Sequence, residues 1–391
     1  MNRKEVREEI LNLNNKAILC ELPTGFGKSL IGMELCLKHK PKTILIVVPR
    51  IVLINNWKEE FAKWDNEKYL DKVTFSTYAG IHKVAGKYDC VIFDEAHHIT
   101  PRVQDILLSM KFNHVIMLSA TVKRELKYEM QSLYPDLYVY KVGMKEAIDN
   151  EVLPDPMVYL LPLTLDNKYE TEKIIKHTNA KTSVTCKYKD RWNYIKNKNI
   201  KLTILCTQMQ KIMELDNEIE FWKNKYMRTR NEMFKNKWLY LAGQRLKWLS
   251  NLKNPIVHSL LAMFNKERVL TFCNSIEQTM ELGNNCINSK NKDAVSILNS
   301  FNNGKINHIT ACNMLNEGMN LSDCRIGIYA NLNSSETIIK QRLGRILRHK
   351  NPVIIIPFYV NTREEELVNK MIEDYNPELI KRIENITDIK L

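Results

Sequence analysis

The sequence predicts an α/β protein built from two parallel-sheet units with a mainly helical insertion between them. Three observations carry that prediction. Apolar runs alternate with helical stretches up to about residue 150, a second series of the same kind starts near residue 256, and the span between them lacks strand patterning. We therefore divide the chain into a first unit (1–150), a linker (151–165), an insertion (166–253) and a second unit (254–391).

In the first unit the strands are "KAILC" (16–20), "KTILIVV" (42–48), "VTFSTY" (73–78), "YDCVIF" (88–93) and "HVIML" (114–118). Continuous Val, Ile and Leu runs of this kind suit strands covered on both faces. In the second unit they are "RVLTFC" (268–273), "HITAC" (308–312), "RIGIYA" (325–330) and "PVIIIPF" (352–358). The segment "EVLPDPMVYLLPLTL" (151–165), with three prolines, reads as an extended linker.

Composition narrows the class. The 391 residues are 44% hydrophobic and 26% charged, enough apolar material for ordinary cores. No apolar run approaches the ~20 residues that cross a bilayer. The start, "MNRKEVREEI", lacks the apolar stretch of a signal peptide. Nine cysteines without a C-x-x-C pair read as reduced core residues of a cytoplasmic protein. Residues 166–253 hold 20 Lys and Arg against 9 Asp and Glu, which is 11 of the net +13. A basic block of that size points to a polyanion, with Lys187, Lys189 and Arg191 as candidate contacts. Within it Ile212, Leu215, Ile219, Trp222 and Tyr226 recur at steps of three and four, the period of a helical seam.

Three short segments carry chemistry. "ELPTGFGKSL" (21–30) sits between a strand and a helix. Backbone amides of Thr24, Gly25, Phe26, Gly27 and Leu30 can face one anion there, at the positive end of the helix dipole. Lys28 would reach a β- or γ-phosphate and Ser29 a Mg²⁺ ion. In "CVIFDEAHH" (90–98), four apolar residues deliver Asp94 and Glu95 to the carboxyl end of a buried strand. Ligands sit on that edge of an open α/β sheet. Asp94 can hold Mg²⁺ through water, and Glu95 can orient or deprotonate an attacking water. In "QRLGRILR" (341–348), Gln341, Arg345 and Arg348 share one helix face, suited to a polyphosphate. "MLSAT" (117–121) ends a strand on Ser119 and Thr121, a helix-cap pair or a coupling element.

"LPTGFGKS", "DEAH", "SAT" and "QRLGRILR", in that order over two α/β units, resemble the motifs of superfamily 2 helicases. "VVPRIVLINNW" (47–57), "FSTY" (75–78), "VLTFCNSIEQ" (269–278) and "NMLNEGMNLSD" (313–323) resemble further motifs of that superfamily. The pattern is similar to the group containing type III restriction motor subunits, XPB and the phage UvsW helicases, so a phage or bacterial source is expected. The resemblance implies two RecA-like domains, with ATP and Mg²⁺ between them and nucleic acid across their top. Lys28, Ser29, Asp94 and Glu95 would come from one wall, and Gln341, Arg345 and Arg348 from the other. Gly318 and Asn320 would meet the nucleotide. Pro49, Arg50, Thr77, Asn274 and Ser275 would meet nucleic acid, and His97 would join Ser119 and Thr121 in coupling. Departures from the pattern are Leu22 in place of glycine, Cys312 in place of threonine, Asn320 in place of aspartate, and a short stretch upstream for reading adenine.

The resulting expectation is a monomeric ATP-dependent helicase or translocase on duplex or branched DNA, with no membrane partner. The alternatives are a duplex translocase subunit that does not unwind, for a restriction or repair assembly, and an RNA-dependent ATPase sensor.

Overall fold

The computed structural model describes residues 2–178, 184–186, 191–193, 200–312, 321, 323–332 and 336–391. The first unit runs α1 (Arg3–Asn12), β1 (Ala17–Glu21), α2 (Lys28–Lys38), β2 (Ile44–Val48), α3 (Val52–Lys63), β3 (Val73–Thr77), β4 (Lys87–Asp94), α4 (Pro101–Leu108), β5 (Lys111–Ser119), α5 (Arg124–Leu133), β6 (Leu137–Lys141) and α6 (Met144–Asp149). Its six strands form a parallel sheet in the order β3-β2-β4-β5-β1-β6. All five residues of β1 and all five of β2 are buried, as strands covered on both faces must be. The edge strand β6, "LYVYK", is too polar to stand out as an apolar run.

The segment read as a linker contains β7 (Met157–Leu163), a strand of the second sheet. It lies between two parallel neighbours, and Val158 to Leu161 are all buried. Its apolar "VYLL" outweighs the prolines, because Pro162 falls near the strand end. The insertion follows. Its first half holds β8 (Glu172–Thr178) antiparallel to β11 (Ile200–Cys206), and β9 (Val184–Cys186) antiparallel to β10 (Arg191–Asn193). The expected helical content is confined to the second half, α7 (Gln208–Thr229) and α8 (Glu232–Leu252). Lysines interleaved with "II" and "LTIL" hide those strands from an apolar-run search.

The helical hairpin has local causes. Thr207 accepts from Gln210 N at 3.2 Å while the Gln210 side chain takes Thr207 N, a reciprocal cap. Arg230 turns the chain with φ +54°, and Asn231 caps α8 through Met233 N at 2.9 Å. The expected seam is present: Ile212 and Ile219 are buried, and Trp222 and Tyr226 pack on Phe234 and Trp238.

The second unit continues with α9 (Asn254–Met263), β12 (Val269–Phe272), α10 (Ile276–Leu282), β13 (Cys286–Ile287), α11 (Ala294–Asn302), β14 (His308–Ala311), β15 (Ile326–Tyr329), α12 (Glu336–Ile346), β16 (Val353–Tyr359), α13 (Arg363–Ile372) and β17 (Ile380–Arg382). Its seven strands are parallel in the order β13-β14-β12-β15-β16-β7-β17. Eight cysteines among the described residues are free and buried, in line with the core role expected for them. No helix among the described residues is long and apolar enough to cross a membrane.

Candidate active site

The strand order brings the candidate catalytic segments together. β5 lies between β4 and β1, with Ser119 level with Glu21 and Leu118 level with Asp94. The phosphate loop after β1 and the Asp94-Glu95 pair after β4 therefore open on the same carboxyl edge. Between that edge and α12 lies a cavity of about 760 Å³. Lys28, Ser29, Asp94 and Glu95 line it from the first unit, and Arg345 and Arg348 from the second.

The loop is shaped as a cradle. Gly25 and Gly27 adopt φ +92° and +95°, which L residues rarely reach, and nothing lies within 4 Å of a Cβ placed at Gly27. Lys28 is buried, and among the described residues its ammonium donates to the Leu22 and Pro23 carbonyls at 3.2 and 3.4 Å. Burial pushes its pKa down, against the pull of Glu95 and Asp94.

The carboxylates differ in surroundings. Asp94 is pushed up to about 6 by burial and by the charge of Glu95. Burial also acts to raise Glu95, but His97 and Lys28 outweigh it and hold this carboxyl low. Glu95 Oε2 lies 3.4 Å from His97 Nδ1, and Thr24 Oγ1 is buried with no hydrogen-bond partner among the described residues. Glu95 also sits at φ +51°, a strained region for a non-glycine residue and a common one at functional sites. A glycine cradle and a buried ammonium fit a nucleoside triphosphate. The hydroxyl of Ser29 and the carboxylate of Asp94, both hard oxygen donors, fit its Mg²⁺.

The expected coupling residues meet in one chain of contacts. Ser119 Oγ donates to Thr121 O at 2.8 Å, and His97 Nδ1 lies 3.0 Å from the same oxygen. The hydroxyl has one proton and gives it to Thr121, so His97 is the donor in that contact.

In α12 the glycine has a reason. A Cβ on Gly344 would fall 2.2 Å from Thr24 Cβ and 3.0 Å from Thr24 O, so this helix rests directly on the phosphate loop. Arg345 is buried and Arg348 donates to Leu321 O at 3.3 Å. Arg342 is structural: it is buried, donates to Asn331 O at 3.0 Å and stacks on Phe272. Pro49, Arg50 and Thr77 follow or end β2 and β3, on the same sheet edge. Thr77 Oγ1 accepts from Gly80 N at 3.2 Å. Asn274 and Ser275 follow β12, where Ser275 caps α10 through Gln278 N at 3.1 Å. Lys187, Lys189, Gly318 and Asn320 lie outside the described residues, as do the side chains of Arg191 and Gln341.

Two groups escaped the sequence reading. Helix α1 lines the cavity with Arg3, Lys4 and Arg7, and Arg3 donates to Gly25 O at 3.3 Å and Val152 O at 3.0 Å. The short stretch upstream of the loop thus forms part of the cavity wall. The second group is Trp57 and Tyr78. The Trp57 indole donates to Asp94 Oδ2 at 2.9 Å, and Tyr78 donates to Asp94 O at 2.7 Å. An indole bond to one carboxylate oxygen fixes the rotamer of a side chain that lines the cavity. Trp57→Phe keeps a ring in the core but removes the donor. It is expected to weaken the Mg²⁺-dependent part of nucleotide affinity roughly tenfold, a hydrogen bond to a charged group being worth about 1.5–3 kcal/mol. Fluorescent-nucleotide titrations with Mg²⁺ and with EDTA check this. Equal losses under both conditions would make Trp57 mere packing.

Two family models match the chain: "Type III restriction enzyme, res subunit" over residues 3–124 and "Helicase conserved C-terminal domain" over residues 252–350. The DNA 3'-5' translocase XPB2 of Sulfurisphaera tokodaii is 24% identical over 387 residues, covering 93% of this chain and 80% of its own. Putative helicase 161L of Invertebrate iridescent virus 6 is 29% identical over 32% of this chain and 33% of its own. Among solved structures, the Pyrococcus furiosus Hef helicase domain aligns with a TM-score of 0.53 at 14% identity, over 94% of this chain and 97% of that one. Saccharomyces cerevisiae Dbp5 bound to RNA and ADP BeF3 aligns with a TM-score of 0.59 at 10% identity, over 97% and 89%. The two RecA-like sheets carry these matches in chain order, one model on each wall of the cavity, and the chain is a superfamily 2 helicase-type protein that hydrolyses ATP.

Proposed function

We propose that the chain is a DNA motor, closing its two sheets on Mg²⁺-ATP to move along duplex or branched DNA. One observation carries this reading. Lys28, Asp94 and Glu95 on one sheet face the same cavity as Arg345 and Arg348 on the other. Closure then completes the site, and hydrolysis releases it. Lys28 and the loop amides hold the β- and γ-phosphates, Ser29 and Asp94 hold Mg²⁺, and Glu95 takes a proton from the attacking water. When bound, the metal neutralises charge developing on the phosphate oxygens. Arg345 and Arg348 add positive charge that strengthens in the transition state. The translocase relative, named for DNA, supports DNA over RNA.

The test is ATP hydrolysis by the purified chain with single-stranded, duplex and forked DNA, and with RNA. Stimulation by duplex or forked DNA is expected, and RNA-selective stimulation would replace the DNA motor by an RNA-dependent sensor. Strand separation on a fork would separate unwinding from translocation alone. The basic first half of the insertion should contribute grip. Replacing Lys187, Lys189, Arg191 and Lys196 with Gln is expected to flatten the salt dependence of duplex binding by about 0.9 for each phosphate no longer neutralised. An unchanged slope would return that stretch to a solvated spacer.

A further inference from the structure

Charge is sorted along the α7–α8 hairpin. Near its base α7 carries Glu214, Asp216, Glu218 and Glu220. From Phe221 to Tyr240, around the turn, stand Lys223, Lys225, Arg228, Arg230, Lys235 and Lys237, against the single acid Glu232. The same twenty residues hold six aromatics. Trp222 and Tyr226 fill the seam with Phe234 and Trp238, whereas Phe221 and Tyr240 are 53% and 59% exposed. Cations sit over the rings: Lys225 lies 4.6 Å from the Phe221 centroid and Lys237 lies 5.6 Å from that of Tyr240. Met227 and Met233 add exposed apolar surface beside the turn.

The base, in contrast, is locked. Lys253, which ends α8, pairs with Glu364 at 2.6 Å, both wholly buried. Ser250 donates to Ala330 O, and Gln278 donates to Ser250 O and Asn254 Oδ1. These bonds tie the hairpin to α10, β15 and α13. The 21-residue α8 carries its far end about 32 Å from such an anchor.

We propose that the tip of this hairpin, residues 221–240, binds unpaired single-stranded nucleic acid, its exposed rings meeting base faces and its Lys and Arg meeting phosphates. This rests on the nucleic-acid motor reading above and names a substrate element for it. Only an unpaired strand offers flat base faces and phosphates together, since a duplex hides its base faces in the stack. A solvated helical spacer accounts for the lysines but not for exposed Phe221, Tyr240 and Met233. A protein-docking face accounts for the apolar groups but not for a cation over each exposed ring.

The experiment measures nucleotide-free equilibrium binding of the full chain to a labelled single strand, a blunt duplex and a tailed duplex. Phe221→Ala/Tyr240→Ala is expected to weaken single-strand binding on the order of 5- to 150-fold per stacked base, with blunt-duplex affinity and salt slope unchanged. Lys225→Gln/Lys237→Gln is expected to flatten the single-strand salt slope by about 0.7 for each phosphate no longer neutralised. Wild-type single-strand affinity in the ring variant, or equal loss on blunt duplex, overturns the proposal. Should the ring pair fail to fold, Tyr240→Ser alone, at an exposed position, decides by the same criterion. The parent reading fails separately: a wild type that binds the single strand but hydrolyses ATP with no nucleic acid is not a motor. A normal motor whose ring variant grips single strands as before sinks the tip alone.

Discussion

Glu95→Gln is expected to leave ATP bound and unhydrolysed. The amide keeps the shape of the side chain, and the cavity keeps Lys28, Ser29 and Asp94, so affinity should stay near wild type. What is lost is a proton acceptor held ionised inside a buried site, and positioned general bases contribute roughly 10²–10⁴ in rate. Lys28→Ala fails by a different route. It removes the buried ammonium that meets the phosphates, so nucleotide affinity should fall together with turnover. Phosphate release and fluorescent-nucleotide binding, measured side by side, separate the two. Near-normal turnover in Glu95→Gln would remove the carboxylate pair from the hydrolytic role.

The second large effect belongs to Gly344. Adding one methyl group there places it 2.2 Å from Thr24 Cβ, with the Thr24 carbonyl behind, so the helix cannot rest on the phosphate loop. Each sheet should still fold, since the collision lies between units and not inside either core. Gly344→Ala should therefore behave like Arg345→Ala, holding ATP while losing turnover, because both deny the guanidiniums to the transition state. Such arginines are worth about 10³–10⁵ in phosphoryl transfer. Kinetics of the two variants against ATP concentration provide the check. Loss of affinity with unchanged turnover in Arg345→Ala would make that arginine a ground-state binder. Full activity in Gly344→Ala would mean that the contact with Thr24 is not part of the active state.

Much of this site was legible because its information is local. A strand that must be buried on both faces announces itself as "LIVV" or "VIF", and its last residues mark the ligand edge. The phosphate loop, Asp94 and Glu95 stand at such marked places, whereas Arg345 and Arg348 were legible from their spacing in "QRLGRILR". Trp57 did not: its neighbours in sequence say only that α3 is amphipathic, and its partner is 37 positions away. Helix α1 was missed for the same reason, since its approach to Gly25 depends on how the sheet is covered. β7 was masked by prolines, and β8 and β11 by lysines that break up their apolar runs. The steric role of Gly344 could be sensed as an unexplained glycine, but its cause lies 320 residues away, at Thr24.

The placement of β7 has a mechanical consequence. Because that strand joins the second sheet before the insertion begins, the backbone among the described residues passes from one sheet to the other once, between Asp149 and Met157. With one backbone crossing among the described residues, resistance to rotation about the cleft rests on contacts such as that of Gly344 with Thr24 and not on a second strand. The whole insertion hangs on the far side of this swivel, welded by Lys253 and Glu364 to the body that carries the arginines. Each nucleotide cycle would then swing the hairpin through the full angle of closure, and on a lever about 32 Å long roughly six degrees of rotation makes a displacement of ~3.4 Å, one nucleotide step of a duplex.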